Sequence, residues 1–451
     1  MIATLGSDEK ICVEESIRMT GFRIRGAARG LNHAAVDGSG SAQRPGRWEP
    51  LLLFCGLLAA SIHVLAVYAL KGWLFAPLDA RLYQAAALAF NYFEFGAIRR
   101  GLGGSIAYLL SADMMVASAA FHLLSAVTVA LTIMWLYARL QAPPVRRAAF
   151  VIVIAAVMLR WGTDAGRTDM LVCTAIGLAA IAVVRGRLAW AVAALGVGLM
   201  VHETSFIFGL PLVASLLMRG DTWRRIEQRE RLAALLVFGC ALVAYVGSGW
   251  LAHADDATIA RDVTAKFPPS KYVDWAIYFA LSGTRSLGTN LCQNRNDPSY
   301  WTHPTGGLIL VVLTTLALSW RLRDDWKAAA MAALPGFAFL SVITNDHSRW
   351  AMFALFNLWL WFVASPPSGG RPTFASAWPI VGAALLLLPL TNAQLGRAAT
   401  PIYSPSPVLE RIAEKVLRVP RTPNVEDALL ICDPDWRDVL RRPAGAQRNG
   451  S

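Results

Sequence analysis

Charge is scarce in this chain. Asp, Glu, Lys and Arg make up 16% of its 451 residues, against roughly a quarter in an ordinary soluble domain. Hydrophobic residues make up 55%, and they recur in long runs. The deficit and the runs together exclude a simple soluble domain and specify a polytopic membrane protein. Cysteine is sparse too. The six cysteines have no metal-ligand spacing. The pair His202–Glu203 is followed by Phe206 where a zinc-type H-E-x-x-H motif would need its second histidine. No metal and no other cofactor is therefore expected. Neither an internal repeat nor a nucleotide-sugar fold is evident. A net charge of +12 would suit nucleic acid, but the basic residues fall in short clusters between apolar runs. Orientation in a bilayer explains such clusters more simply, and no nucleic-acid partner is expected.

What is present is a series of apolar segments with polar interruptions. Residues 1–49 are polar and Arg-rich, with no cleavable signal peptide, and read as a flexible basic cytoplasmic arm. Apolar segments follow near 50–70 and 112–137. Three pairs of shorter runs come next: 148–159 with 170–184, 188–201 with 204–218, and 328–343 with 351–364. Each run falls short of the roughly 20 residues that cross a bilayer. Further segments lie near 232–252, 306–320 and 378–391. If every pair is a hairpin, "PPVRRAA", "RGRL", "MRGDTWRRIEQRER" and "RLRDDWK" all fall on the side of the N-terminal arm. That is the positive-inside pattern. The expected fold is all-α: a polytopic transmembrane helix bundle of about eleven spans with short hairpins, N-terminus cytoplasmic and C-terminus outside. The transmembrane domain covers 50–391, with extracytoplasmic loops 71–111 and 253–305, and 392–451 forms a small extracytoplasmic appendage.

This threading puts an unusual set of charges outside: Asp79, Arg81, Glu94, Arg99, Arg100, Asp164, Arg167, Asp169, His202, Glu203, Asp346, His347 and Arg349. Because the flanking runs are short, the tips carrying these residues dip below the headgroups. Charges at that depth are costly unless paired or lining a wet cavity. The segment "RRGLGG" offers two guanidiniums and a glycine turn suited to phosphate; salt bridges to Glu94 and Asp79 are the structural alternative. In "LDARLYQAAALAF", Asp79, Tyr83 and Gln84 share a helix face, so that Asp79 is either a general base or a helix cap. Arg167 with Asp169, His202 with Glu203, and Asp346 with His347 and Arg349 are candidate acid–base or sugar-phosphate contacts, or bonds that merely close their tips. His63 and His122, inside spans, read as helix–helix hydrogen bonds. The aromatics of "KFPPSKYVDWAIYF" either stack on sugars or lie on the headgroups. Cys12, Cys55, Cys173 and Cys240 fall in cytoplasmic or spanning segments. Cys292 and Cys432 are outside, where an oxidising compartment permits a disulfide; two unrelated thiols are the alternative.

An Asp in the first outside loop, amphipathic segments before the second span and paired short spans with polar tips resemble the GT-C-type glycosyltransferases that use polyprenyl-phosphate sugars. The stretch "DARLYQAAALAFNYFEFGAIRRGLGG" also resembles bacterial envelope-polysaccharide membrane proteins of the EpsG and O-antigen-polymerase type. The resemblance implies a lipid-linked sugar donor and a glycan acceptor at the outer side of a bacterial inner membrane, with Asp79 as catalytic base. Glu94, Asp169 and Glu203 are further candidate catalytic carboxylates. Arg99, Arg100, Tyr83, Arg167, His202, Asp346, His347 and Arg349 are candidate substrate contacts. "HETSFIFGLP" lacks the lysine that many GT-C relatives carry at this hairpin tip. The alternatives are an exopolysaccharide polymerase, a lipid-linked glycan transporter and a membrane acyltransferase.

Overall fold

The computed structural model describes residues 46, 48–70, 78–98, 100–138, 144–162, 166–218, 222–248, 255–281, 287–289, 291–292, 314, 326–343, 347–364 and 432–435. Among these the chain is helical, with no strand. Nine of the expected apolar segments are helices: α1 (Glu49–Leu70), α5 (Met114–Ala138), α6 (Pro144–Trp161), α7 (Asp169–Val184), α8 (Leu188–Val201), α9 (Thr204–Met218), α11 (Gln228–Ser248), α14 (Trp326–Ile343) and α15 (His347–Ala364). Short helices α2 (Leu78–Leu88), α3 (Tyr92–Phe95), α4 (Gly101–Leu110), α10 (Thr222–Arg225), α12 (Asp256–Thr264) and α13 (Lys271–Leu281) complete the described set. The arm, the segments near 306–320 and 378–391 and the 392–451 appendage lie outside the described residues, except for Trp48, Glu49, Gly46, Thr314 and 432–435.

Three helices, α5, α11 and α14, are long and apolar enough to cross a membrane. Others are shorter: α8 has 14 residues, a length of about 21 Å against a hydrocarbon core of about 30 Å. Apolar side chains also face outward. On α11, Leu235, Val243 and Val246 are 69%, 74% and 64% exposed. Against water such a face is an unpaid hydrophobic patch; against acyl chains it is already solvated.

Side-chain contacts fix the helix directions. Gly198 packs on Ser205 and Gly209 on Leu195, so α8 and α9 run antiparallel and the 202–203 break is a hairpin tip. Asn357 reaches Ala332 O at 2.9 Å, which makes α14 and α15 a hairpin as well. Helices α8 and α11 are parallel, since Arg187 meets Glu230 and Tyr245 meets Glu203. Helices α1 and α5 are antiparallel, through Tyr137 with Glu49 and His122 with Ser61. Each direction agrees with hairpin threading.

The core between the long helices is dense and aromatic. Phe353 lies 5.1 Å from both Trp161 and Phe208, ring centre to ring centre. Asn357, fully buried, bonds Phe208 O at 2.8 Å as well as Ala332 O. Both carbonyls stand three residues before a helix-interior proline, Pro211 and Pro335. A proline lacks the N–H that would bond the carbonyl four residues back, here Ile207 O and Met331 O, and it loosens the ladder beside Phe208 O and Ala332 O. One amide therefore links three helices at two such openings.

A second, smaller core joins α2, α3, α4, α12 and α13, with Leu82, Ala86, Phe90, Ile259 and Ile277 buried together. Trp275 and Tyr278 of α13 are buried against Tyr83, so these aromatics of "KYVDWAIYF" are packing groups rather than an open sugar platform. Tyr278 Oη donates to Asp433 Oδ2 at 2.8 Å and meets Thr289 Oγ1 at 2.7 Å. Beside them Cys292 and Cys432 form a disulfide, with Cα atoms 5.7 Å apart.

Candidate functional site: charged groups at the helix breaks

Three breaks meet at one end of the bundle. His122 places the first. Its Nδ1 accepts from Gly166 N–H at 3.3 Å and its Nε2 donates to Ser61 O at 2.7 Å. Gly162 lies against the carbonyls of Ala60 and Ser61. Beyond Ser61, α1 continues to Leu70, a further rise of about 13 Å. The 162–168 break thus sits well below the top of α1, and His122 fills the structural role read from the sequence. Gly103 of α4 lies against Thr168, which brings the start of α4 to this sunken break.

Arg100 stands at that start. It is the N-cap of α4 with φ 61° and ψ 14°, and the one described non-glycine residue with positive φ. A left-handed conformation costs an L-residue about 1–3 kcal/mol and needs support from its surroundings. Two contacts supply it. The ring of Tyr92 fills the space where a Gly101 Cβ would sit, and Phe90 O fills that of Gly104, at 1.8 Å. The glycines of "RRGLGG" are thus used for close packing of α4 on the preceding chain. Burial raises the Tyr92 phenol above its ordinary pKa, partly offset by the Leu102 N–H, so that ring is neutral.

The other contact is electrostatic. Arg100 Nε donates to Glu203 Oε2 at 2.6 Å, a partner 103 residues away at the 202–203 tip. Tyr245 Oη of α11 donates to Glu203 Oε1 at 2.5 Å. His202 Nδ1 lies 3.4 Å from Glu203 Oε2, and Thr204 N–H donates to the same nitrogen at 3.3 Å. Arg100 therefore pairs with Glu203, not with Glu94 as the sequence alternative had it. Its side chain remains 38% exposed, against 14% for Glu203.

The third break contributes Arg349. Its Nε donates to Asp169 Oδ2 at 2.7 Å and its Nη2 to Asp169 Oδ1. Asp169 is 1% exposed and Arg349 12%, and the guanidinium carbon sits 4.7 Å over the Trp350 ring. This bidentate pair joins the first turns of α7 and α15. Arg167 is buried two residues away.

Glu94 is elsewhere. It bonds Asn91 Nδ2 at 2.6 Å and pairs with Lys266, near the far end of α4. There it lines a cleft of about 670 Å³ with Leu82, Tyr108, Asp113 and Lys266, a volume suited to a small molecule. Tyr108 and Arg100 are separated by eight residues of helix, about 12 Å. Asp79 lies in the first turn of α2, one turn before Leu82, and His347 opens α15; the side chains of both lie outside the described residues, as do Arg99, Asp164 and Asp346. Tyr83 packs with Trp275 and Tyr278. Among the described residues no group of three or more His, Cys, Asp and Glu could hold a metal ion.

Tyr245, Lys266 and Asn357 were not singled out from sequence. The signal available was slight: each is a lone polar group in or beside an apolar segment, "ALVAYVGS", "TAKFPP" and "LFNLWLW". No protein-family model, curated protein or solved structure matches the chain.

Proposed function

We propose that the chain is an integral membrane glycosyltransferase of the GT-C type, with about eleven spans, that moves a sugar from a polyprenyl-phosphate donor to a lipid-linked or envelope glycan acceptor. The observation that carries this reading is the convergence of Arg100, His202, Glu203, Asp169 and Arg349 at one end of an apolar bundle, beside a break sunk below the top of α1. A donor whose phosphate lies at the headgroup level and whose tail lies in lipid meets cations there. Transfer needs a cation to steady the leaving phosphate and a base for the acceptor hydroxyl. Arg100, with Arg99 beside it in sequence, supplies the first. Asp79 supplies the second. Asp169 and Glu203 have both oxygens engaged, and their part is to hold the arginines.

The Cys292–Cys432 bond supports placing this end in an oxidising compartment. Its neighbour Tyr278 belongs to the layer over the same end of the bundle. The opposite end carries Arg185, Arg187, Arg224, Arg225 and Arg231, as a cytoplasmic face of a bacterial inner membrane would. The buried Asp169–Arg349 pair and the His202–Glu203 tip lie together at one end, which favours transfer over transport, since transport needs access from both faces.

The test is an assay of the purified protein in nanodiscs with polyprenyl-phosphate-linked sugars and lipid-linked acceptors. Transfer that is lost in Asp79→Asn and Arg100→Ala is expected. An intact, monodisperse protein that transfers no sugar from any such donor, or in which Asp79→Asn is fully active, would refute the assignment.

A further inference from the structure

The two arginine–carboxylate pairs at this end differ in a way that assigns them different work. Arg349 gives Nε and Nη2 to the two oxygens of Asp169, and the pair is closed off from its surroundings, at 12% and 1% exposure. Arg100 gives Nε alone to Glu203. The second oxygen of Glu203 is turned to Tyr245 Oη, which donates to it at 2.5 Å, and the carboxylate so oriented makes no fork with Arg100. Among the described residues, neither Nη1 nor Nη2 of Arg100 has a protein acceptor. Four N–H donors of a guanidinium that is 38% exposed are thus open, on a backbone held in the left-handed region. An arginine tethered by one edge, in strained backbone, is set for a second oxyanion at its Nη pair.

We propose that Glu203 and Tyr245 are positioning residues that hold Arg100 by Nε and keep its Nη pair available to the phosphate of a membrane lipid. This rests on the reading of the site as one for a phosphate-bearing lipid. Tyr245 is the discriminating element. By anchoring Oε1 it turns the Glu203 carboxylate so that only Oε2 faces the guanidinium, whereas both oxygens of Asp169 face Arg349. Removing the Tyr245 hydroxyl takes away the bond that orients Oε1, so that the carboxylate can turn toward a fork and withdraw Arg100 from the ligand. Removing the Glu203 carboxylate leaves the arginine untethered. A Gln at 203 still accepts from Nε and no longer repels an anion.

The experiment measures binding without turnover. Wild-type protein and the variants Arg100→Ala, Glu203→Ala, Glu203→Gln and Tyr245→Phe are reconstituted in phosphatidylcholine nanodiscs with or without undecaprenyl phosphate. Retained lipid is quantified by native mass spectrometry, and inorganic phosphate is titrated as a competitor. Binding about tenfold weaker is expected for Arg100→Ala and Glu203→Ala, and about threefold or more weaker for Tyr245→Phe, whereas Glu203→Gln is expected to bind as well as wild type or better. Inorganic phosphate at millimolar concentration is expected to displace little of the lipid.

Wild-type binding of undecaprenyl phosphate with unchanged affinity in Tyr245→Phe and Glu203→Ala overturns the positioning role and leaves the lipid-phosphate reading standing. Failure of the folded wild type to retain undecaprenyl phosphate over phosphatidylcholine overturns both. Full displacement by inorganic phosphate replaces the lipid by free phosphate as the ligand and overturns the proposal in that respect. If Glu203→Ala loses its melting transition, Tyr245→Phe carries the decision, because the loss of one hydroxyl leaves the tip's other bonds in place.

Discussion

Breaking the Asp169–Arg349 pair should destabilise the bundle more than any other single charge change in the described residues. Asp169 is 1% exposed and both its oxygens are engaged by one guanidinium. In Arg349→Ala the carboxylate stays buried and loses both donors. Removing one partner of a buried pair costs about 3–5 kcal/mol. Coulomb's law gives a similar scale: charges about 4 Å apart attract by roughly 4 kcal/mol at an effective dielectric of 20. Asp169→Asn should cost less, about 1–3 kcal/mol, because the amide keeps one acceptor. Replacing both residues by apolar ones, Asp169→Leu with Arg349→Met, should recover much of the loss, since no charge then remains buried. Reversible unfolding in mixed micelles, followed by Trp fluorescence, reads these differences as a double-mutant cycle. The expected coupling is about 2 kcal/mol or more. A coupling within about 0.5 kcal/mol of zero, or an Arg349→Ala variant as stable as wild type, would show that the two groups do not meet in the folded bundle.

Four other outcomes are expected. Arg100→Ala should lower sugar transfer about a hundredfold, near 3 kcal/mol, with Lys only partly restoring it, because lysine lacks the planar fork; rates in nanodiscs decide. Single cysteines placed at 203 and at 100 should both react with a membrane-impermeant maleimide from the side that holds the Cys292–Cys432 bond, and labelling of position 203 from the Arg187 side alone would break the hairpin threading. Cys292→Ser should free the 432–435 segment, with a stability loss of up to about 4–5 kcal/mol for a loop of 140 residues in the chain-entropy account; thermal melting with and without reductant should show it in wild type and not in the variant. Asn357→Leu should cost about 1–3 kcal/mol, as the two interhelical bonds to Phe208 O and Ala332 O are lost, and the same unfolding assay measures it.

Local pattern carried much of the architecture. Apolar length and polar interruptions are properties of neighbouring residues, so the helices around 188–201 and 204–218 and the tip between them were legible, and the structure makes that tip a hairpin through Ser205 on Gly198. Two cysteines set apart from the spanning segments were enough to suggest the 292–432 bond, which the structure contains. Partners were a different matter. "RRGLGG" announced an arginine with a task, yet Glu94, its near neighbour in sequence, is given to Lys266, and the carboxylate that holds Arg100 comes from 103 residues further on.

The sequence by itself determined a helical, membrane-compatible chain with its unexpected charges gathered at the short breaks, because hydropathy and charge bias act residue by residue along the chain. Only the tertiary structure decided that Tyr245 holds one oxygen of Glu203 while Arg100 holds the other, and that Asp169 is sealed by Arg349 across 180 residues. Those choices depend on which helices pack together and at what height, and a difference of one helical turn, about 5.4 Å, would give each carboxylate a different neighbour.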